Sequence, residues 1–431
     1  MPKGRKTGFD AVIREITPSN EEMADERRTA DLIIKKIDAH LPAHAKAMLA
    51  GSVAKGTFLR DSKDIDIFIL FPKSIDKEKF EGIVRKIAAK AFPKEKKEVH
   101  YAEHPYVRVK FENRKIDVVP AYDIKIAEEK ASAVDRSVLH TKYILRKLPN
   151  IRRTDVLLLK RLFKANGLYG AEIRVEGFSG YLCELLIIKY GSFMNTMRAI
   201  TKWKTPITID IEKQYPNAKR PLEKFNVPLI VIDPVDKQRN VAAIVSLENI
   251  KRIIKLAKRI VKKPNQSFFS GSEKEFKEKE LKRLLASTYP VYILQFPKPN
   301  IVDDILWGQL KRFERNTISG LEHLGFKVMR TLLCEENGQC ELFFGLEIEK
   351  LGQKMLLKGP PIRNDLKNNA ESFRKAHKRA KFIKKSGHVF AIVNRKIRDA
   401  TDAFKLIISK EQNVPSHIDA SKIKINKKRK N

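Results

Sequence analysis

The sequence predicts a multidomain chain of mixed α+β and α/β type, opened by a domain built on a mixed sheet with helices. Three observations predict it. The 431 residues are enough for two to four domains with real cores. Through 63–71, Ile65, Ile67, Ile69 and Phe71 alternate with Asp64, Asp66, Phe68 and Leu70, as a strand requires. At 19–40, 74–92 and 246–263 the apolar residues instead recur at helical spacing.

The helix at 19–40 opens on Ser19 and Glu22, a capping-box pattern, and is expected to pack behind the sheet. Leu49 and Ala50 lead into Gly51-Ser52 and a short helix from Val53, just before the strand. Side chains alternate along a strand, so Asp64 and Asp66 share a face. Paired carboxylates are stable with a cation between them or one shared proton, and Mg²⁺ suits an all-oxygen site that leaves room for phosphate. A glycine lets backbone approach a ligand, and the first amides of a helix bind phosphate. Ser52 adds a hydroxyl and Lys55 a charge. Read singly, the Gly-Ser is an ordinary turn and the Asp-x-Asp a solvated strand edge. At this spacing they read as a phosphate cradle beside a metal site, and the pattern resembles the nucleotidyltransferases of the DNA polymerase β superfamily.

The helix at 74–92 ends at Pro93, and 98–120 reads as a hairpin turning at Glu112-Asn113-Arg114. In its second strand Asp117 sits between Ile116 and Val118 and is read as a third metal ligand. Three carboxylates suit two-metal phosphoryl transfer. Asp64 and Asp66 would bridge both ions, and Asp117 would serve the ion on the attacking side or act as the base.

Lys and Arg number 88 against 52 acids, a formal charge of +36, and the simplest partner for such a chain is a polyanion. A membrane partner is disfavoured: no basic amphipathic anchor stands at either end, and no stretch approaches a transmembrane length. The start shows no apolar run, so no signal peptide is expected. Cys183, Cys334 and Cys340, with no Cys-x-x-Cys pair, point to a reducing cytoplasm, to buried small residues and away from structural zinc.

Farther on, Thr154-Asp155 begins a helix that carries Lys160 and ends at Asn166-Gly167, with Tyr169 just beyond. Residues 177–180 turn into a buried helix in which Glu184 is expected to pair with a lysine. A loop or irregular sheet is expected at 206–228, then a strand from Leu229 and a loop at 235–240 carrying Arg239. The helix at 246–263 is amphipathic and strongly basic, and 265–280 reads as a linker. A second α/β unit follows, with strands at 290–297, 327–334 and 341–351, the last two around Asn337-Gly338. The helix at 303–324 is expected to be N-capped by Asp303-Asp304 rather than to bind metal there. Seven Lys or Arg and no acid stand in 374–385, a strand follows at 388–393, and the basic end at 422–431 is expected to be disordered.

One series of motifs runs through the chain in order: residues 51–71, Tyr101 to Tyr106, Ile116 to Pro120, Ser132 to Ser137, Phe163 to Glu172, Gly177 to Leu186 and Asp233 to Ala243. The series closely resembles the archaeal (class I) CCA-adding enzymes, the tRNA nucleotidyltransferases. It covers roughly residues 20–320 and thins toward the C-terminus. The resemblance implies a polymerase β-like catalytic head, a helical neck and an α/β body and tail. These are expected at 1–150, 151–265 (nucleotide-selecting and tRNA-contacting) and 266–431 (tRNA-binding).

Carried onto this sequence, the resemblance makes Ser52 a triphosphate contact and Asp64, Asp66 and Asp117 the metal ligands. His140, Lys160 and Tyr169 become contacts to the incoming nucleotide, and Arg239 the reader of the base edge together with the tRNA backbone. Lys55 stands where many members have arginine, so a point charge replaces a planar fork. Asp64 stands where some have glutamate. The implied activity is addition of C, C and A to the 3′ end of tRNA from CTP and ATP, with Mg²⁺, at one active site that recognises the acceptor end. Some members are dimers, which leaves a homodimer open. Two other readings stay open at this point, another polymerase β-like transferase such as a poly(A) polymerase, and a catalytically silent RNA-binding protein.

Overall fold

The computed structural model describes residues 8–62, 64–101, 105–362 and 367–428. Lys63 at the strand start, residues 102–104 of the Tyr101-to-Tyr106 motif, and the last three residues of the basic end lie outside them. The chain forms two compact units, divided between Phe276 and Lys277.

The first unit opens with α1 (Asp10–Ile16) and α2 (Asn20–Asp38). The capping box is present: the Glu22 amide donates to Ser19 Oγ at 3.1 Å, and the Ser19 amide donates to Glu22 Oε2 at 2.6 Å. Next come β1 (Lys46–Ala50), the single-turn α3 (Gly51–Lys55), β2 (Asp64–Phe71), α4 (Phe80–Ala91), β3 (Lys97–Tyr101), β4 (Pro105–Phe111) and β5 (Arg114–Tyr122). The α4 helix starts six residues later than its periodicity suggests, because a turn and a short 3₁₀ segment at Lys77–Lys79 precede it.

The five strands form one sheet in the order β1-β2-β5-β4-β3. All neighbours are antiparallel except β2 and β5, which run parallel. Period-two alternation gives β2 two faces. Ile65, Ile67, Ile69 and Phe71 join Ala30, Ile33 and Ile37 of α2 and Phe80, Val84 and Ile87 of α4 in one core. On the other face Phe68 and Leu70 pack with Ala50, Ala121 and Val138. Asp64 and Asp66 belong to this second face. It is covered by α5 (Arg136–Lys147), which carries Val138 and His140.

A second core joins α1 to α6 (Arg153–Ala165), α7 (Gly180–Tyr190), α8 (Phe193–Thr201), β6 (Ile207–Ile209), β7 (Leu229–Asp233) and α10 (Leu247–Lys262). The short α9 (Lys219–Phe225) and β8 (Asp236–Asn240) complete this region. The basic helix expected at 246–263 is α10, capped by Ser246 Oγ, with Ile250, Ile253, Ala257 and Ile260 buried. Arg239 lies on a strand rather than in a loop, because β8 folds back antiparallel on β7. The expected linker at 265–280 is also corrected. Phe269 is buried against Phe9 and Phe193, and α11 (Glu273–Leu285) begins at a cap in which Ser272 Oγ accepts from the Glu275 amide. Its run of Glu, Lys and Leu is helix-forming, so its polarity marks a solvated helix rather than a loop.

In the second unit, β9 (Val291–Pro297), α12 (Asp303–Leu324), β10 (Val328–Glu336) and β11 (Gln339–Leu346) precede β12 (Lys354–Pro361), α13 (Lys367–Ala376), β13 (Lys381–Lys385), β14 (His388–Asn394), α14 (Ala400–Ile408) and β15 (Lys424–Lys427). The sheets run β10-β11-β9-β15 and β12-β14-β13. Asn337 and Gly338 both have positive φ, as a two-residue hairpin turn demands. Two expectations fail here. Asp303 and Asp304 do not cap α12: its cap position is Val302 with no side-chain bond, and Asp303, in the first turn, pairs with Lys298 at 3.0 Å. The basic end is not wholly disordered, because residues 424–427 pair antiparallel with the free edge of β9, Ile425 opposite Leu294. Among the described residues no helix is long and apolar enough to cross a membrane.

Candidate active site

The site begins where β1 meets β2. Ala50 pairs with Asp66, and the chain then turns at Gly51 with φ of +66°. A Cβ at Gly51 would lie 1.8 Å from Asp66 Oδ2, so only glycine leaves room for that carboxylate. On the other side of β2 the parallel register sets Asp66 opposite Asp117. Asp64, Asp66 and Asp117 thus share one sheet face, as the alternation in the sequence requires. Burial lifts the Asp66 carboxyl to about 6; the charges of Asp117 and Asp64 add to the lift, while Lys55 and Arg108 oppose it.

Arg108 on β4 stands across from Asp117 and grips it with both prongs, Nε to Oδ1 and Nη2 to Oδ2, each at 2.7 Å. With Asp117 so engaged, no three acidic, His or Cys side chains among the described residues are gathered tightly enough to hold an ion. The three carboxylates are therefore aligned by the sheet but not converged.

Ser52 lies in α3, its carbonyl accepting from the Thr57 amide at 3.0 Å. Lys55, at the end of the same turn, is buried rather than exposed. Its Nζ donates to Glu184 Oε2 at 2.7 Å, and Thr57 Oγ1 donates to Glu184 Oε1 at 2.5 Å. Lys160 approaches from α6: its Nζ donates to the Thr57 carbonyl at 2.8 Å and stands 3.6 Å from Glu184 Oε1. The pairing expected of Glu184 is thus made twice. Burial would raise this fully enclosed carboxyl, but Lys55 and Lys160 outweigh it and hold it below the usual carboxylate range. Burial lowers Lys160 in turn, against the pull of Glu184.

Tyr169 bridges to Phe178 through the backbone. A Cβ at Gly180 would lie 2.9 Å from Tyr169 Oη and 3.3 Å from Lys160 Nζ, so Gly180 leaves both their places. His140 and Arg239 meet on Asp233, the last residue of β7. His140 Nε2 is 2.8 Å, and Arg239 Nη1 2.9 Å, from Asp233 Oδ2. Tyr181 donates to Oδ1 at 3.1 Å, and the His140 ring stacks on Tyr181 with centroids 4.1 Å apart. Lys55 acts electrostatically on both Asp66 and His140, and Asp64 acts on Tyr169, so the carboxylates and this group belong to one region.

All nine side chains expected from the sequence thus lie in the first unit. Four more were not read as site residues. Arg108 and Thr57 carried no distinguishing signal. Tyr181 and Asp233 lie within quoted motifs, and Asp233 had a signal in reach: an acid closing the otherwise apolar strand Leu-Ile-Val-Ile. The N-terminal half of α7 gathers most of the site, since Gly180, Tyr181 and Glu184 each meet a different part of it.

Three family models match in succession. Residues 31–140 match a nucleotidyltransferase domain, 154–270 the second domain of tRNA nucleotidyltransferase, and 287–426 the C-terminal domain of CCA-adding enzyme. The chain is 34% identical to the CCA-adding enzyme of Methanocaldococcus jannaschii over 410 residues, 92% of this chain and 89% of that protein. It is 37% identical to that of Methanoregula boonei over 371 residues, 84% of this chain and 78% of that protein. With that of Saccharolobus islandicus it shares 32% over 418 residues, 95% and 94% of the two chains. A solved structure of Cid1, described as having RNA terminal uridylyl transferase activity, superposes with a TM-score of 0.50 at 14% identity, over 61% of this chain and 97% of that one; this likeness speaks to the fold alone. On these matches, and with a nucleotidyltransferase head that carries its acids on adjacent parallel strands, the chain belongs to the archaeal (class I) CCA-adding enzymes, the tRNA nucleotidyltransferases.

Proposed function

We propose that this chain adds C, C and A to the 3′ end of tRNA in the cytoplasm, from CTP and ATP, without a template and with release of pyrophosphate. The observation that carries the chemistry is the parallel register of Asp66 and Asp117 beside Gly51. Three carboxylates on one face, with Asp66 lifted partly by its neighbours' charge, fit a hard divalent cation, and Mg²⁺ is the one proposed. Mg²⁺ bound there would make the attacking 3′-hydroxyl more acidic and neutralise the triphosphate.

The chain's own residues supply the rest. Asp64, Asp66 and Asp117 would hold the ions, with Asp117, now paired with Arg108, serving the attacking side. Ser52 contacts the triphosphate. Lys55 and Lys160 set two buried cations against the single carboxylate of Glu184, an imbalance that favours an arriving phosphate. Tyr169, His140 and Arg239 bind the nucleotide. The seven cations of 374–385 are all exposed and suit the phosphates of folded RNA. Catalysis is then chiefly positioning and charge neutralisation.

The test is extension of tRNA lacking its last three nucleotides, with Mg²⁺ and CTP, ATP, UTP or GTP, singly and mixed. Three additions only with CTP plus ATP, lost in Asp66→Ala, are expected. A long adenosine tail from ATP alone would make the chain a poly(A) polymerase. Tight binding without extension would make it a silent RNA-binding protein. Sizing of the same sample tests for the homodimer.

A further inference from the structure

Asp233 is fully buried and receives four donors. Tyr181 Oη and the Val235 amide reach Oδ1, each at 3.1 Å, and His140 Nε2 and Arg239 Nη1 reach Oδ2. An ionised carboxylate offers about four lone-pair sites and no proton. Its acceptors are therefore filled, and each partner is obliged to donate. For Tyr181 and Arg239 that is no constraint. For a neutral imidazole it is decisive, since a ring that donates at Nε2 keeps its lone pair at Nδ1.

We infer that Asp233 is a positioning residue for nucleotide selection, holding His140 in the Nε2–H form and Arg239 in one orientation so that the pocket presents a fixed set of donors and acceptors to the incoming base. This rests on the proposed nucleotide contacts of His140 and Arg239. Two further features support it. Burial keeps His140 on the neutral side, against the raising effect of Asp233 itself. Arg239 remains one-third exposed, so the carboxylate anchors one nitrogen while part of the guanidinium stays accessible.

The requirement for fixed polarity follows from the bases. Cytosine and adenine each present an amino donor next to a ring-nitrogen acceptor, and uracil and guanine present the reverse. An imidazole free to change tautomer could answer either pattern, and a guanidinium that could swing would carry its donors from a ring-nitrogen acceptor to a carbonyl oxygen. Asn in place of Asp233 keeps the shape but offers an N–H, which can meet His140 Nε2 and move the ring proton to Nδ1. A carboxylate-to-amide change beside a histidine is known to act in this way.

The test uses the full-length protein with ¹⁵N-labelled histidine. Wild type is expected to show His140 as the Nε2–H tautomer, and Asp233→Asn to lose that signature. With truncated tRNA, Asp233→Asn is expected to lower the preference for CTP over UTP, and for ATP over GTP at the last position, by roughly 10- to 100-fold, the span of one good polar base contact. Asp233→Glu, which restores the charge, is expected to recover part of the preference. A folded Asp233→Asn protein with wild-type preference would overturn the inference. So would an Nδ1–H tautomer in the wild type, a result that stands even if the Asn variant does not fold. Wild type that extends nothing would sink the proposed function instead, while the imidazole signal still decided the tautomer.

Discussion

Arg108 holds Asp117 in a two-pronged ion pair, 2.7 Å at each contact, on the carboxylate that the sheet aligns with Asp66. The guanidinium occupies the charge-balancing role that a divalent ion would take, so the two compete for Asp117. Arg108→Gln should lower metal-free stability by about 1.5–3 kcal/mol, the range for a hydrogen bond to a charged group. It should also make added Mg²⁺ or Mn²⁺ raise the melting temperature more than in wild type, because a ligand stabilises the folded state by an amount that grows with the logarithm of its affinity. Thermal melts across a metal titration check both. Equal shifts in the two proteins would mean that Arg108 is only a strut.

Gly51 yields a sharper geometric prediction. Alanine there must both hold φ near +66° and overlap the Asp66 carboxylate. The left-handed conformation alone costs roughly 1–2 kcal/mol. Displacing Asp66 by about an ångström should reduce turnover on the order of 100-fold. Gly82→Ala is the control: within α4 its new Cβ meets nothing within 4 Å, so it should stabilise by about 0.5–1 kcal/mol and leave turnover unchanged.

How much could be read in advance depended on how local the cause was. The alternation of β2, the Ser19 capping box and the stripe of α10 are set by residues a few positions apart, and they stand in the structure as expected. Glu184 was legible too, as the lone acid in an apolar helix. The burial of Lys55 was not, because its counter-charge lies 129 residues away. Asp233 likewise collects its partners from 93, 52 and 6 residues off. The misread segments share a different cause. Polarity at 265–280 and 422–428 marks exposure, and a solvated helix or an edge strand is as exposed as a loop.

The edge strand makes the next prediction. β15 covers β9 by backbone pairing, and Lys427 adds an ion pair to Glu349 at 2.5 Å. Deleting residues 424–431 leaves the β9 edge unpaired, an invitation to self-association. The loss should be at least about 1 kcal/mol, since several ladder bonds go. That corresponds to roughly 2–4 °C in Tm for a unit of this size. Melting with light scattering checks it, and an unchanged Tm would return the basic end to the status of a solvated tail.

Glu184 is the only acid that α7 supplies to Lys55 and Lys160. Glu184→Ala strands two buried lysines and should cost about 3–5 kcal/mol, the usual result of breaking a buried pair from one side. Glu184→Gln keeps an acceptor for Thr57 and should cost less. Because the excess positive charge is larger in both variants, tripolyphosphate should raise their melting temperatures more than that of wild type. Urea unfolding with and without tripolyphosphate checks the two effects together.

Asp233 governs acid stability. Burial alone would raise its carboxyl, but the hydrogen bonds and charges of His140 and Arg239 hold it at about 2, below the ordinary 3.8. A depressed carboxyl favours the folded state above the unfolded value, and that contribution disappears as pH falls toward 2. By linkage it amounts to about 2 kcal/mol. His140 acts in the same direction: its folded value lies below 6.5, so the unfolded chain takes up that proton first as pH falls. The other titratable groups facing the pair are Tyr181 and, at longer range, Lys55 and Tyr143; burial raises both tyrosines, which stay neutral through this acid range. Unfolding free energy measured from pH 7 to pH 2 should therefore fall more steeply in wild type than in Asp233→Asn, with the difference concentrated between pH 4 and pH 2. Parallel curves would show that Asp233 is not held in its ionised form by these partners.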